Sequence, residues 1–150
     1  MKKITPFLWF DTQAEEAMNF YVSLFKNSKA LGVSRGPDGK AFTVSFELDG
    51  QEFMGLNAGP MYKFTEAVSM YVNCEDQAEV DYFWSELSAV PESEQCGWCK
   101  DKFVLSWQII PKQLGELMGD PDPDKSQRVM QAMLKMQKIV VADLQKAHKG

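Results

Sequence analysis

Apolar side chains recur at three- and four-residue steps in two separate stretches of the chain. In the first they are Ala14, Ala17, Phe20, Tyr21 and Leu24; in the second, Val80, Phe83, Trp84 and Leu87. Such spacing gives a helix one apolar stripe and predicts that the stripe lies on a sheet. Each stripe follows a short run of strand length, TPFLWF or AVSMYV, rich in residue types that suit a pleated surface. The wording also repeats: Gln13-Ala14-Glu15 matches Gln77-Ala78-Glu79, and Phe20, Tyr21 and Leu24 match Phe83, Trp84 and Leu87 after a one-residue slip. Both stretches therefore read as strand, polar turn, helix.

Beyond the first helix, ALGVSRGPDGKAFTVSFELDGQEFMGLNAG alternates apolar and polar residues around PDG and LDG. Glycine takes the positive backbone angles that tight hairpins demand, so this stretch predicts a three-stranded meander. The segment ESEQCGWCKDKFVLSWQII predicts a shorter version, ending in a strand over 103–110. The predicted fold class is α+β. The βαβββ unit is thus written twice, over about 1–60 and about 66–111, and a helical tail occupies about 112–150. In the tail, Leu114, Leu117 and Met118 predict a short apolar turn, the prolines of GDPDPDKS forbid helix, and helical periodicity resumes at Ser126. The methionine stripe Met130, Met133 and Met136 is assigned to core or subunit packing rather than to a ligand surface, because methionine fills irregular gaps.

The length of 150 residues suits one domain, or two small halves sharing a core, without staples. Lysine and arginine total 16 against 21 acidic residues, for a net charge of -5, and the only arginines are Arg35 and Arg128. That balance leaves no footprint for nucleic acid or anionic lipid. No apolar run approaches the roughly 20 residues of a membrane span, and MKKITPFLWFD does not read as a signal peptide, so a cytoplasmic protein is expected. Three cysteines, an odd number, point to reduced thiols rather than a secreted disulfide framework. Cys96 and Cys99 have CxxC spacing but precede a strand, away from the helix dipole that would lower a thiol pKa, and read as ordinary cysteines. Asp11 and Asp76 read as residues that start helices, and His148, the sole histidine, as solvated.

The phrases ITPFLWFDTQAEEAMNFY, CGWCKDKF, SWQIIP and MLKMQKI together resemble the glyoxalase/bleomycin-resistance/dioxygenase (vicinal oxygen chelate) superfamily. Within it they resemble the branch labelled 3-demethylubiquinone-9 3-methyltransferase-like, or PhnB-like. The resemblance implies that the two βαβββ modules form curved mixed sheets around a cleft, usually completed by homodimerisation, with a C-terminal helical extension. It also implies places for metal ligands, which fall near Ile4 or Thr5, near Ser69, at Gly55 or Asn57, and at Gln108. Only Gln108 suits such a set, whereas a catalytic divalent ion needs about three ligands from His, carboxylate or thiolate. No tightly held metal or other cofactor is expected, and no catalytic residue is assigned. The chain departs from the branch twice: Val104 stands where glycine is usual, which questions a bend there. Val140 replaces the aspartate that would cap a final helix, so the last two helices are expected to run together.

Methyl transfer would call for a Gly-rich turn between a strand and a helix, whereas GPDG lies between predicted strands. What remains is an aromatic-rich cleft. Its candidate lining residues are Phe7, Trp9, Tyr71, Trp98 and Trp107, with Asn57 and Gln108 as polar anchors. Trp107 and Gln108 must point to opposite faces of their strand. The expected function is a homodimeric module that sequesters or senses a small, partly apolar or aromatic molecule, with neither nucleic acid nor membrane as partner. Two alternatives stand beside it: a metal-dependent lyase, isomerase or dioxygenase-type enzyme using Gln108, and a protein-interaction module using the Met-rich tail.

Overall fold

Strand β1 (Phe7–Phe10) leads through a polar turn into helix α1 (Ala14–Leu24), in a computed structural model that describes residues 2–150. The meander follows as β2 (Lys29–Arg35), β3 (Ala41–Leu48) and β4 (Gln51–Asn57), with Asp49 and Gly50 both at positive φ in the last hairpin turn, as a two-residue loop requires. The sheet runs β1-β4-β3-β2, and β1 is parallel to β4. Helix α1 buries Ala14, Ala17, Met18, Tyr21 and Leu24, and the Tyr21 ring lies 6.2 Å from that of Phe46. Along β3 the buried residues alternate as Val44, Phe46 and Leu48, the period-two signature of a sheet with one covered face. This first compact unit ends at Phe64, and a second extends from Thr65 to Gly150.

The second unit repeats the plan with one strand fewer: β5 (Ser69–Cys74), α2 (Gln77–Leu87), β6 (Trp98–Lys100) and β7 (Ser106–Pro111). Its order is β5-β7-β6, with β5 parallel to β7 as β1 is to β4. Both helices are 11 residues long, and the one-residue slip lies at their starts, since Gln13 precedes α1 while Gln77 opens α2. Where the missing strand would run there is a 3-10 turn at Pro91–Ser93, and proline supplies no N–H for a ladder. The final strand starts at Ser106 rather than at 103 because the chain first wraps a carboxylate. Asp101, fully buried, accepts from the backbone N–H groups of Phe103 (2.8 Å) and Leu105 (3.1 Å) and from Trp107 Nε1 (2.8 Å). Val104 completes this loop at φ 70°, the left-handed region where a β-branched side chain is strained, so the bend persists without its usual glycine.

The tail forms α3 (Lys112–Met118), α4 (Pro123–Leu134) and α5 (Val141–Lys149). Three expectations are corrected here. Pro123 does not block a helix but opens one, at the first helical position where its missing N–H is not needed, while Asp122 Oδ1 accepts from Asp124 N–H at 2.9 Å. The last two helices stay separate, since Gln77 substitutes for the absent aspartate: its Oε1 accepts from Val141 N–H (2.7 Å) and its Nε2 donates to the Ile139 carbonyl (3.0 Å). His148 is not solvated; its side chain is 21% exposed and its Nε2 lies 2.8 Å from Asp120 Oδ2. Ile110 joins Leu114, Val129, Ile139 and Leu144 in one apolar cluster, so the tail is packed onto the end of β7. The approach is close at Gly97 (φ 88°), where an added Cβ would lie 2.7 Å from Ile110 Cδ1, and Gly97 N–H donates to the Gln137 carbonyl at 2.8 Å. Among the described residues, no helix is long and apolar enough to cross a membrane.

Two outcomes are expected. Val104→Gly should stabilise the protein by about 1 kcal/mol, the left-handed strain outweighing glycine's greater entropy in the unfolded chain, and denaturant melts will measure it. The Asp120 carboxyl is held below the ordinary range, first by the Asp122 N–H and then by His148. A lowered folded pKa means that this support is complete above the unfolded value, near 4, and fades as pH falls through the folded one. Thermal melts of Asp120→Asn should therefore lie below wild type at pH 6, and the gap should narrow progressively as pH falls below about 4.

Candidate ligand site on the second sheet

Residues paired across neighbouring strands share a face, and the register of the second sheet makes one row of Tyr71, Gln108 and Trp98. Three predicted residues from separate segments thus meet on the face opposite Trp107. Gln108 Nε2 donates to Ser69 Oγ at 2.9 Å, which fixes the amide and leaves Oε1 without a partner among the described residues. Tyr71 is 60% exposed, and partial burial pushes its hydroxyl pKa up; like any tyrosine it is a hydrogen-bond donor at neutral pH. The adjacent row is Ser69, Ser106 and Lys100. Lys100 Nζ pairs with Glu66 Oε1, and this hydrogen bond is the main cause that holds the Glu66 carboxyl below its usual range. Of these, Ser106, Lys100 and Glu66 escaped the sequence reading. Period two from Gln108 and Trp98 was the signal that points to Ser106 and Lys100.

The other predicted residues lie elsewhere. Trp107 is 3% exposed on the covered face beside Cys99, its indole bound to Asp101. Asn57 also serves the fold: Oδ1 accepts from Ala14 N–H at 2.8 Å, capping α1 in place of Asp11, and Nδ2 donates to the Ala41 carbonyl at 3.1 Å. Asp76, by contrast, caps α2 as expected, accepting from Glu79 N–H at 3.0 Å. Phe7 and Trp9 stand on the open face of the first sheet, where Trp9 Nε1 donates to the Gly59 carbonyl (2.9 Å) and its ring meets Tyr62 edge-on at 4.9 Å. On the helix side of that sheet a hollow of about 1110 Å³ lies between α1 and the β2–β3 turn. Of its two cations, Arg35 and Lys40, Arg35 is already engaged by both oxygens of Glu15 at 2.7 and 3.2 Å, and the hollow is wide open, so it offers less than the second sheet.

The thiols are set against nucleophilic work. Burial pushes Cys99 and Cys74 up to about 12, and Cys96 is raised by the same cause, the reverse of what thiolate chemistry needs. The donor set at the places implied for a metal does not fit a divalent ion. Those places hold Ile4, Thr5, Gly55, Asn57, Ser69 and Gln108; Asn57 is committed to a helix, and Gln108 shares its amide with Ser69. Among the described residues, no three His, Cys, Asp or Glu side chains cluster to hold an ion.

Two units that each pair their first strand in parallel with their last, one face under a helix, followed by a helical tail, define a protein of the glyoxalase superfamily in its PhnB-like branch. The chain belongs to the 3-demethylubiquinone-9 3-methyltransferase family, whose model matches residues 2–110, so the match ends within β7. A PhnB protein from Bacillus cereus that carries the same methyltransferase name is 38% identical, with a TM-score of 0.65, over 73% of this chain and 99% of its own. A protein from Staphylococcus aureus is 30% identical over 72% of this chain and 94% of its own, with a TM-score of 0.37. Protein PA1353 from Pseudomonas aeruginosa shares the fold at 15% identity and a TM-score of 0.57, over 74% of this chain and 98% of its own. No curated protein matches the chain.

Because Asn57 caps α1, Asn57→Ala should cost about 1–2 kcal/mol of stability. Thermal unfolding will show the loss, and ligand binding on the second sheet should be unchanged once the variant is folded.

Proposed function

We propose that this protein binds a small planar, partly apolar molecule on the open face of the β5-β7-β6 sheet and acts by sequestering or sensing it, as a cytoplasmic homodimer without a resident metal. The observation that carries this is the row Tyr71, Gln108, Trp98: two aromatic side chains flank one amide whose orientation is fixed by Ser69. Rings on either side offer apolar contact to a flat molecule, and a held amide offers one directional hydrogen bond, the usual composition of a small-molecule site. The exposed apolar surface of Phe7 and Tyr71 agrees with faces that are covered in use, by ligand or by a second copy.

Methyl transfer, which the family's name carries, finds little support in the chain. The connections from β1 to α1 and from β5 to α2 contain no glycine, and the Gly36–Gly39 turn joins β2 to β3. A nucleotide-like methyl donor needs close backbone approach at a strand-to-helix turn, which glycine would allow. The enzyme alternative would need a metal recruited through Gln108, and the misfit of the donor set argues against it. The Met-rich tail is packed into the second unit through Ile110, Ile139 and Gln77, which favours a structural role over partner capture.

The test uses 2-naphthamide as a flat, neutral probe, with affinity read by calorimetry. Tyr71→Ala and Gln108→Ala should each weaken it about tenfold, whereas Tyr82→Ala, on α2, should leave it unchanged. Equal affinity in all three variants would sink the proposal, as would binding that requires added divalent ion.

A further inference from the structure

The row beside the aromatic one is a cluster of hydrogen-bond donors with too few acceptors. Ser106 is 1% exposed, yet its Oγ has no hydrogen-bond partner among the described residues. Buried hydroxyls are satisfied in the great majority of native sites, so an orphan points to a group supplied from outside the chain. Across the ladders Ser106 faces Ser69 on one side and Lys100 on the other. Ser69 Oγ accepts from Gln108 Nε2, which leaves its own proton to donate onward. Lys100 adds an ammonium whose side chain is 19% exposed, and its one ion pair is with Glu66, a side chain 62% exposed. Two serines and a lysine are thus register partners across one stretch of sheet, with the Glu66 carboxylate on the lysine.

We infer that the molecule bound on this face carries an oxyanion, such as a carboxylate, seated on Lys100, Ser106 and Ser69, while its planar body lies along Tyr71, Gln108 and Trp98. The inference rests on the site proposed above and names the chemical class of its ligand. The two rows are two residues apart along β7, about 7 Å, which is about the span from the far edge of a fused bicyclic ring to the oxygens of a carboxylate at its other end. Before binding, Glu66 occupies the ammonium as a removable counterion. The arriving anion displaces it, so Glu66 and ligand compete for Lys100, and selectivity for anions is set by that exchange.

The experiment compares 2-naphthoate with neutral 2-naphthamide by calorimetry. Wild type should bind the carboxylate at least tenfold more tightly than the amide. Lys100→Met should remove that difference by weakening 2-naphthoate. Glu66→Gln should tighten 2-naphthoate severalfold, because the competitor is gone, and it remains informative if Lys100→Met does not fold. Ser106→Ala should melt no lower than wild type without ligand, since it deletes an unsatisfied hydroxyl, yet should bind 2-naphthoate several times more weakly. Equal affinities for the two probes, with Glu66→Gln and Ser106→Ala silent, would overturn the oxyanion while leaving the planar-ligand site standing. Failure of both probes to bind would overturn the site itself and the oxyanion with it.

Discussion

In each unit the first strand pairs in parallel with the last, and this pairing decides what the rest of the sheet can do. Parallel neighbours cannot be joined by a tight turn, so the chain must leave the sheet, cross one face as a helix and return through antiparallel strands. One face is thereby buried under α1 or α2, and the other carries no crossover helix, the tail covering the second sheet only at the Ile110 end of β7. Side-chain parity does the remainder: Val44, Phe46, Trp107 and Cys99 go to the covered faces, and Trp9, Tyr71, Gln108 and Trp98 to the open ones. A slip of one residue in β7 would exchange Gln108 for Trp107 and turn the site inside out.

The same parity explains why Asn57 and Gln108, two amides near the ends of the closing strands, have different fates. Asn57 continues the series Phe53, Gly55 on the helix side, where the packing is tight enough that a Cβ at Gly55 would lie 3.3 Å from Leu8, Phe10 and Val44 atoms. There its amide meets the bare N-terminus of α1 and becomes a cap. Gln108 faces away from α2 and keeps half its hydrogen-bonding capacity for something else. Residue type alone cannot distinguish the two positions, whereas strand register does.

What the sequence makes legible is therefore periodic: both helices, the glycine turns and the opposition of Trp107 to Gln108 follow from spacings of 3.6 and 2. What it hides is the long-range polar bond. The caps from Asn57 to Ala14 and from Gln77 to Val141 span 43 and 64 residues, so no local motif announces them, and the absence of an aspartate before α5 read as the absence of a break. Pro123 misled for the opposite reason, since a residue that interrupts helices also begins them, and Asp122 before it was the cue. Tyr71, Gln108 and Trp98 are legible one by one but not as a row, because they come from three strands.

The loop between β6 and β7 ties these features together. Lys100 faces Ser106, and Trp98 faces Gln108, only because residues 101–105 close a turn of fixed length between their strands. Asp101 sets that length with two backbone N–H groups and the Trp107 indole, all gathered on one buried carboxylate. Val104 sits in the left-handed region within this turn and is 46% exposed, so no packing of its side chain accounts for the conformation. Strain of this kind persists where the surroundings over-determine the backbone. The over-determining group is Asp101, and its reach along β7 makes a carboxylate on the covered face responsible for the order of residues on the open one.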